Sequence, residues 1–264
     1  MIQFFRRIRQ KLLSENSFSK YLVYALGEII LVVAGILIAL QINNSNENSK
    51  LKKQEVILLE NLRDDIALDT VDINFNIEYH KKYLLAEQQL LQFLQSDLDT
   101  PSNDINLDNA LGVPLIISFH RSAFNNLENS QTGLISNNEL KKDISRFYDF
   151  FYKSVSVIEN DLTSYQFYNK KMPYFKKYFD LAEDSYGINV NEINTEDYSI
   201  IKSEKASLNL IDVEGARNDN GFKIELNESI FKRQVLIGFY EDLMNRVRLL
   251  LDDLEKEIEL NTDD

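Results

Sequence analysis

The feature that most constrains this chain is one apolar stretch near the N-terminus, residues 21–42, with the sequence YLVYALGEIILVVAGILIALQI. Its only charged side chain is that of Glu28. At about 1.5 Å per residue, a helix of this length spans roughly 33 Å, enough to cross a bilayer core of about 30 Å. Tyr21 and Tyr24 stand where interfacial aromatic residues occur in membrane helices. We therefore predict a single transmembrane helix over residues 21–42.

A cleaved signal peptide is the alternative interpretation of this stretch. The region before it is long and partly apolar, and no small-x-small cleavage site follows it, which favours an uncleaved anchor. Five basic residues precede the anchor, against Lys50, Lys52 and Lys53 soon after it. This bias favours a cytoplasmic N-terminus and a C-terminal domain outside the cytoplasm. The inverted topology stays open.

Residues 1–20 are predicted to form a cytoplasmic basic segment. Met1, Phe5, Ile8 and Leu12 recur at helical spacing. Such an amphipathic segment is suited to lie on an anionic lipid surface, so the lipid bilayer is an expected partner. A disordered basic tail is the alternative. The residues expected to contact the membrane surface are Arg6, Arg7, Arg9 and Lys11.

Within the anchor, Glu28, Gly35 and Ala39 are candidates for a transmembrane assembly site. A carboxyl group inside a bilayer is costly and often has a partner. Gly35 and Ala39 form a small-xxx-small pair, which permits close approach of a second helix. We expect a homo-oligomer or a membrane-protein partner. The alternatives are that Glu28 is neutral or reaches the headgroups, and that the small pair arises by chance.

The charge of the chain argues against nucleic-acid binding. The net charge is −13, and residues 43–264 hold 24 basic against 40 acidic side chains, or −16. Such a domain repels phosphate backbones. No cysteine occurs, which excludes disulfides, thiolate nucleophiles and cysteine-ligated metal sites.

Only 8 Gly and 3 Pro occur, which favours an all-α domain over residues 50–264, joined to the anchor by a polar linker at residues 43–49. Residues 50–97 form one long helix, or two helices that meet near residues 69–76. The stripe fits an intramolecular bundle face or an intermolecular coiled coil. The apolar stripe consists of Leu58, Leu62, Ile66, Ile73, Ile77, Leu84, Leu91, Leu94 and Leu98, with His80 among them.

Further helices are expected over residues 122–129, from a capping box at Ser136 and Glu139 to about residue 170, and over residues 228–260. Pro173 is expected to open another short helix. The last helix is predicted to pack its stripe of Ile230, Val235, Phe239, Leu243, Val247, Leu250, Leu254 and Ile258. Residues 207–213 and 222–226 could form a small hairpin. We predict an elongated antiparallel bundle with a long stalk helix.

No motif for nucleotide binding, serine hydrolysis or zinc proteolysis occurs in the chain. His80 lies at helical spacing from Asp72, Asn76 and Glu87, which would permit a metal site. The favoured interpretation is that His80 is a polar residue in the seam between two helices of the bundle. His120 is expected at a helix start. Dense aromatic residues over 147–179 form core, or line a ligand pocket. We predict no catalytic, cofactor or metal site and no enzymatic activity.

Residues 8–44, IRQKLLSENSFSKYLVYALGEIILVVAGILIALQINN, resemble the N-terminal signature of a family of uncharacterised single-pass membrane proteins from Bacteroidota, GEI-x-LVV-x-GILIALQINN. The family continues with Trp-Asn-Glu where this chain has Ser45-Asn46-Glu47. Residues 126–148, NLENSQTGLISNNELKKDISRFY, are similar to a second family pattern. The resemblance implies a bacterial envelope protein of Gram-negative type, in which the predicted topology would place the anchor in the inner membrane and the domain in the periplasm. It implies no activity.

Three classes of function remain from the sequence. The first is an anchored interaction or structural protein, on the strength of the anchor face and the long helices. The second is an extracytoplasmic ligand-binding or sensory module, which would need a partner because about 20 cytoplasmic residues leave no output domain. An enzyme is the third class, and no constellation of residues supports it.

Overall fold

The computed structural model describes residues 18–102, 104–112, 116–129, 133–161, 164–182 and 208–262, without the side chains of residues 18–21, 24, 161 and 164–167. The chain divides into two compact units, Met1–Glu55 and Val56–Asp264. The all-α prediction is confirmed. The helices are α1 (Phe18–Leu94), α2 (Leu107–Leu111), α3 (Ser122–Asn129), α4 (Asn138–Arg146), a π-helical turn π1 (Phe147–Tyr152), α5 (Lys153–Asp161), α6 (Ser164–Tyr178), α7 (Val213–Asn218) and α8 (Asn220–Thr262).

Helix α1 runs without interruption to Leu94, so residues 50–94 form one helix rather than two. Residues 43–94 contain neither Gly nor Pro, so nothing in this stretch breaks the backbone hydrogen-bond ladder. Residues 43–49, expected as a linker, are helical as well. The helix ends where the Ser96 hydroxyl donates to the carbonyl oxygen of Phe93 at 2.8 Å.

Within the second unit, α1 buries a stripe with a strict three- and four-residue repeat. At a mean step of 3.5 residues, these positions stay on one side of the helix. The predicted stripe is correct up to His80 and again at Leu94, but Leu84 and Leu91 are only half-buried and Leu98 is exposed. Leu58, Ile77, Ala86 and Phe93 are buried beside a repeat that consists of positions 59, 62, 66, 69, 73, 76, 80, 83, 87, 90 and 94. Four of them, Asp69, Asn76, His80 and Glu87, are polar.

Helices α1 and α8 are antiparallel. Arg233 bonds to Glu87, and Lys81 bonds to Glu241 at 2.6 Å, so the residue number rises along one helix as it falls along the other. Helix α8 begins at Asn220, earlier than predicted, because the Asp219 carboxylate accepts from the Phe222 amide at 3.1 Å and caps it.

The predicted face of α8 is partly wrong. Phe239 is exposed, and the buried positions there are Leu236, Ile237 and Tyr240. The reason is that the α-helical repeat of 3.6 residues permits either neighbouring stripe, and the packing of α1 selects the one that carries Arg233.

The middle of the domain differs from the single helix expected after residue 136. The cap of α4 is Asn137, whose Oδ1 accepts from the amides of Glu139 and Leu140 at 3.1 and 3.2 Å, and not Ser136. The π-helical turn then separates α4 from α5. Pro173 lies inside α6 instead of opening a helix.

The predicted hairpin pairs different segments from those expected. Strand β1 (Phe179–Leu181) pairs antiparallel with β2 (Leu208–Leu210), with Asp180 opposite Asn209. Residues 222–226, expected to be a strand, belong to α8, where Phe222 and Leu226 are buried. Phe222 and Leu226 are four residues apart, a spacing that places them on one side of a helix and also on one face of a strand. In so short an apolar run this spacing does not distinguish a helix from a strand.

Replacement of Asn137 by Ala is expected to lower the free energy of unfolding by about 1 kcal/mol or more, because the α4 cap is lost. The Asn137 amide also donates to Glu257 at 2.7 Å on α8, which adds to the effect. Urea unfolding of the full chain in detergent measures this change. Asn138→Ala, at the exposed next position, serves as the control and should change the value by less than about 0.5 kcal/mol. Equal losses in the two variants would contradict the assignment of the cap.

Candidate functional site

A buried ion cluster lies at the Glu87 carboxylate, where α1, α6 and α8 meet. Its Oε1 accepts from the Lys171 ammonium, from the Ser229 hydroxyl at 2.7 Å and from Nη2 of Arg233 at 2.9 Å. Its Oε2 accepts from Nε of Arg233 at 3.1 Å. The charged side chains are 0–2% exposed. Two cations therefore share one anion inside the domain.

Arg233 also fixes the protonation of His80. Its Nη1 donates to Nδ1 of His80 at 2.9 Å. A guanidinium group can only donate, so Nδ1 must be the acceptor and the imidazole is neutral with its proton on Nε2. The guanidinium lies 5.1 Å from the centroid of the Tyr83 ring. Gly112 leaves room for it, since a Cβ at that residue, whose φ is +69°, would lie 3.2 Å from Nη2.

Lys171 ties a fourth segment to the cluster. Its Nζ donates to the carbonyl oxygen of Ala110, in α2, at 2.7 Å. Burial lowers the pKa of Lys171 to about 8, with the Arg233 charge acting in the same direction and Glu87 opposing it. Burial by itself raises the pKa of Glu87, but the charges of Lys171 and Arg233 outweigh it and the pKa lies below the ordinary value.

The ion cluster separates two apolar cores of the domain. One core contains Leu58–Ile77 side chains of α1 and residues 236–254 of α8, together with π1. The other contains residues 86–94 of α1, Phe222 and Leu226 of α8, and the end of α6. An uncompensated buried charge costs several kcal/mol, so an alignment of α1 against α8 that separates Glu87 from Arg233 is disfavoured. The cluster thus favours the observed register of α1 against α8.

Buried carboxylates also hold residues 116–121, a segment without regular secondary structure. Oε1 of Glu159 accepts from the Ile117 amide at 2.9 Å. Oδ1 of Asp69 accepts from the His120 amide at 2.9 Å and from its Nδ1 at 2.7 Å. An extended segment cannot pair its own amides, so side chains of α1 and α5 supply the acceptors.

The start of α3 is capped from another helix. Oδ2 of Asp65 accepts from the Ala123 amide at 2.8 Å and from the Ser122 hydroxyl at 3.0 Å. A carboxylate at this end also interacts favourably with the helix dipole. Asp65 and Asp69 are one turn apart on α1, so a single helical face anchors both the extended segment and α3.

Two tyrosines complete these sites. The Tyr152 hydroxyl donates to Oδ2 of Asp69, and the Tyr240 hydroxyl donates to Oε1 of Glu159 at 2.7 Å. Burial raises the pKa values of Asp69 and Glu159, against the lowering effect of these hydrogen bonds. The π-helical turn buries Phe147, Tyr148 and Tyr152 together. The Phe119 ring stacks on Tyr152 with centroids 3.8 Å apart.

The structure places the residues that were singled out from the sequence in different environments. His80 is buried in the seam between α1 and α8, where Arg233 is a hydrogen-bond partner. Among the described residues no group of three or more acidic, His or Cys side chains could hold a metal ion. His120 lies just before α3 and binds Asp69. Of the aromatic residues over 147–152 and 174–179, Phe150 is exposed and the others belong to the two cores, as the core interpretation expected.

The proposed assembly residues lie in the apolar part of α1. Glu28 is half-buried, and Gly35 and Ala39 are exposed. A Cβ at Gly35 would meet nothing within 4 Å, so this face can accept a close neighbour. Arg6, Arg7, Arg9 and Lys11 lie outside the described residues. The part of the chain described contains one helix that is long and apolar enough to cross a membrane, with a mean hydropathy of 2.4 in its most apolar window.

Sequence analysis missed Lys171, Arg233, Asp69 and Glu159. The signal for Arg233 was present, because it stands three residues from both Ile230 and Leu236 in a buried stripe. Asp69 and Glu87 likewise interrupt the apolar repeat of α1. A charge at a seam position predicts a buried partner, but the partner's identity depends on which helices pack together.

The comparisons with known proteins add one family match. Residues 28–105, just under a third of the chain, match the model described as a family of unknown function, DUF6090. The matched region contains most of α1, including Glu28, Asp69, His80 and Glu87. No curated protein and no solved structure matches the chain. The chain is therefore similar to an uncharacterised family in the region that holds the apolar helix and the polar seam.

Removal of one ion from the cluster is expected to destabilise the domain. Glu87→Gln should lower the free energy of unfolding by about 3–5 kcal/mol, because Lys171 and Arg233 would be left buried without an anion. The triple variant Glu87→Met, Lys171→Met, Arg233→Met should lose much less than the sum of the three single variants. Urea unfolding of the full chain in detergent measures these values. Additive losses would contradict a coupled cluster.

The pH dependence of stability is expected to change in Glu159→Gln. Burial makes the pKa of Glu159 higher in the folded protein than in the unfolded chain. The contribution of Glu159 to stability is therefore complete below the unfolded-state pKa, and it is lost as the pH rises through the folded-state pKa. Gln keeps an oxygen acceptor for the Ile117 amide and the Tyr240 hydroxyl but does not ionise, so its contribution does not fall as the pH rises. Unfolding measured between pH 4 and pH 7 should therefore show a gain that grows with pH. The exposed Glu128→Gln is the control, and matching profiles would contradict the assignment.

Proposed function

We propose that this chain is a membrane-anchored interaction or structural protein of the bacterial envelope. The observation that carries the proposal is the apolar surface of α1 between Leu22 and Ile42, where the large apolar side chains are 47–70% exposed. In water this surface would cost about 25 cal/mol per Å². A bilayer removes that cost along the length of a span.

The location in the envelope rests on sequence. The basic residues before the apolar stretch favour a cytoplasmic N-terminus, so that Val56–Asp264 lies in the periplasm and the anchor in the inner membrane. The resemblance of residues 8–44 to a Bacteroidota family supports a bacterium with two membranes. On this proposal the protein is single-pass, and Arg6, Arg7, Arg9 and Lys11 contact anionic lipid.

The interior of the domain supports a structural role over an enzymatic one. Both oxygens of Glu87 and both of Asp69 accept hydrogen bonds from the protein itself. A general base needs a lone pair directed at a substrate. These carboxylates hold helices and an extended segment in place, which is what a scaffold for protein contacts requires. A ligand-binding or sensory role is the alternative, and a ligand-dependent rise in melting temperature would support it.

The test of the anchor is extraction of native membranes at alkaline pH. The proposal expects the full chain to stay in the membrane fraction and to leave it only with detergent. Loss of the chain to the soluble fraction would contradict the proposal. A protease added to intact spheroplasts should digest the C-terminal domain, and protection of that domain would reverse the proposed topology.

Mild cross-linking in native membranes is expected to capture a partner that depends on the anchor face. Glu28 and Gly35 are seven residues apart, so they share one face of α1. Glu28→Gln and Gly35→Leu should reduce the cross-linked species several-fold, because the first removes a carboxylate and the second blocks close approach. Mass spectrometry identifies the species.

Gly27→Leu is the matched control, since Gly27 is also exposed with open space around it but lies on another face. Equal losses in both glycine variants would indicate a general effect of bulk in the anchor. Unchanged cross-linking in Glu28→Gln and Gly35→Leu would show that the anchor face does not bind the partner.

A further inference from the structure

Helix α1 stays helical and becomes polar directly after the apolar stretch. Residues 43–49, NNSNENS, are all exposed, and seven consecutive helical residues cover the full circumference of the helix. Three lysines follow at once, of which Lys50 and Lys53 are exposed and Lys52 is half-buried. These three residues, here called the lysine collar, belong with the anchor to the unit Met1–Glu55.

We propose that the lysine collar binds the phosphate groups of anionic lipids at the bilayer surface where α1 leaves the membrane. The proposal rests on the membrane anchor of the proposed function and gives that anchor a lipid partner. It holds for either topology, because the collar follows the anchor on whichever side the domain lies. The surface is opposite to the one assigned to Arg6, Arg7, Arg9 and Lys11, which precede the anchor.

The distance along α1 places the collar at the lipid headgroups. At about 1.5 Å per residue, the Cα atoms of Lys50 and Lys53 lie roughly 12 and 16 Å beyond that of Ile42, the last apolar residue of the stretch. The headgroup region extends about 5–7 Å beyond the apolar core on each side. Side chains of a helix point towards its N-terminus, which for α1 is the direction of the membrane. A lysine side chain of roughly 6 Å therefore brings its ammonium group to the headgroup layer or a few ångströms above it.

The collar is a local positive charge on an acidic chain. Residues 43–53 hold three lysines against Glu47, a net charge of +2, whereas residues 54–264 hold 21 basic and 39 acidic side chains, a net charge of −18. Glu55, the next acidic residue after the collar, is buried. Only charges within about 8 Å of the headgroups act strongly on them at physiological salt. Each lysine at that distance from an anionic surface increases the affinity roughly five-fold.

The arrangement of the collar fits a lipid surface better than a single protein partner. At 100° per residue, the three lysines spread over about 160° of the helix circumference, whereas the contact stripe of a packed helix is about 100° wide. Headgroups surround a spanning helix on all sides. A lysine ammonium group on a flexible stem, with three donors, can follow a mobile phosphate group.

The absence of tryptophan permits a direct measurement of the lipids around the collar. Ile42→Trp places a single fluorophore at the end of the apolar stretch, at a side chain that is 65% exposed. The full chain is placed in nanodiscs of phosphatidylcholine and phosphatidylglycerol, with brominated acyl chains on one lipid or on the other. Bromine quenches the nearby indole, so the two quenching curves give the relative affinity of the site for the anionic lipid.

We expect phosphatidylglycerol to be preferred several-fold at low salt, with the preference lost at high salt because the charges are screened. The triple variant Lys50→Gln, Lys52→Gln, Lys53→Gln should lose the preference, and the corresponding triple arginine variant should keep it. Inorganic phosphate should reduce the preference no more than chloride of equal ionic strength. Stronger competition by phosphate would assign the collar to a free anion and overturn the lipid proposal.

The matched control removes three exposed lysines from the other unit, by Lys142→Gln, Lys153→Gln and Lys176→Gln. This variant has the same net charge as the collar variant and should keep the preference for phosphatidylglycerol. An equal loss in both triple variants would overturn the proposal, since the effect would then come from the net charge.

Equal quenching by the two lipids at every salt concentration in the chain with an intact collar would also overturn it, even if the collar variant failed to fold. Extraction at alkaline pH separates this inference from the proposed function. A chain that leaves the membrane contradicts the anchor, whereas a chain that stays in the membrane without a lipid preference contradicts only the collar.

Discussion

The packing of the helices in the domain depends on the ion pairs and hydrogen bonds of the Glu87 carboxylate. It receives donors from α6 and from two residues of α8, and through Lys171 it reaches the carbonyl oxygen of Ala110 in α2. Apolar side chains pack in many registers with similar energies, whereas a buried ion without a counter-ion costs several kcal/mol. The cluster therefore selects one arrangement among several that the apolar stripes alone would permit.

The same physical rule explains the irregular middle of the domain. Residues 116–121 run over the helices without partners in a helix or sheet, and Glu159 and Asp69 supply acceptors for their amides. Each site combines a buried carboxylate with a tyrosine hydroxyl and a backbone donor. Polar groups in this core thus serve the fold.

Much of the fold could be predicted from the sequence. The apolar stretch of residues 21–42, the helical character of residues 50–94 and the late helix α8 follow from composition and repeat, which are local properties. The continuity of α1 through residues 43–49 was not predicted. The cap at Asn137 is local, but the capping-box spacing of Ser136 and Glu139 pointed to the neighbouring residue. The pairing of β1 with β2 could not be predicted, because residues 182–207 separate the two strands. Glu87 was recognisable as a charge in a seam, yet Lys171 and Arg233 are 84 and 146 residues away from it. No local pattern links them.

Hydrogen–deuterium exchange of the full chain in lipid nanodiscs tests the central claim, that buried carboxylates hold the domain together, most directly. Ile117 and His120 lie outside every helix and strand, so their amides would exchange rapidly if solvent were their partner. The account predicts that both are protected as strongly as the amides of α8 near Arg233, and that the protection is lost in Glu159→Ala and Asp69→Ala respectively. Rapid exchange at both amides in the wild type would contradict it.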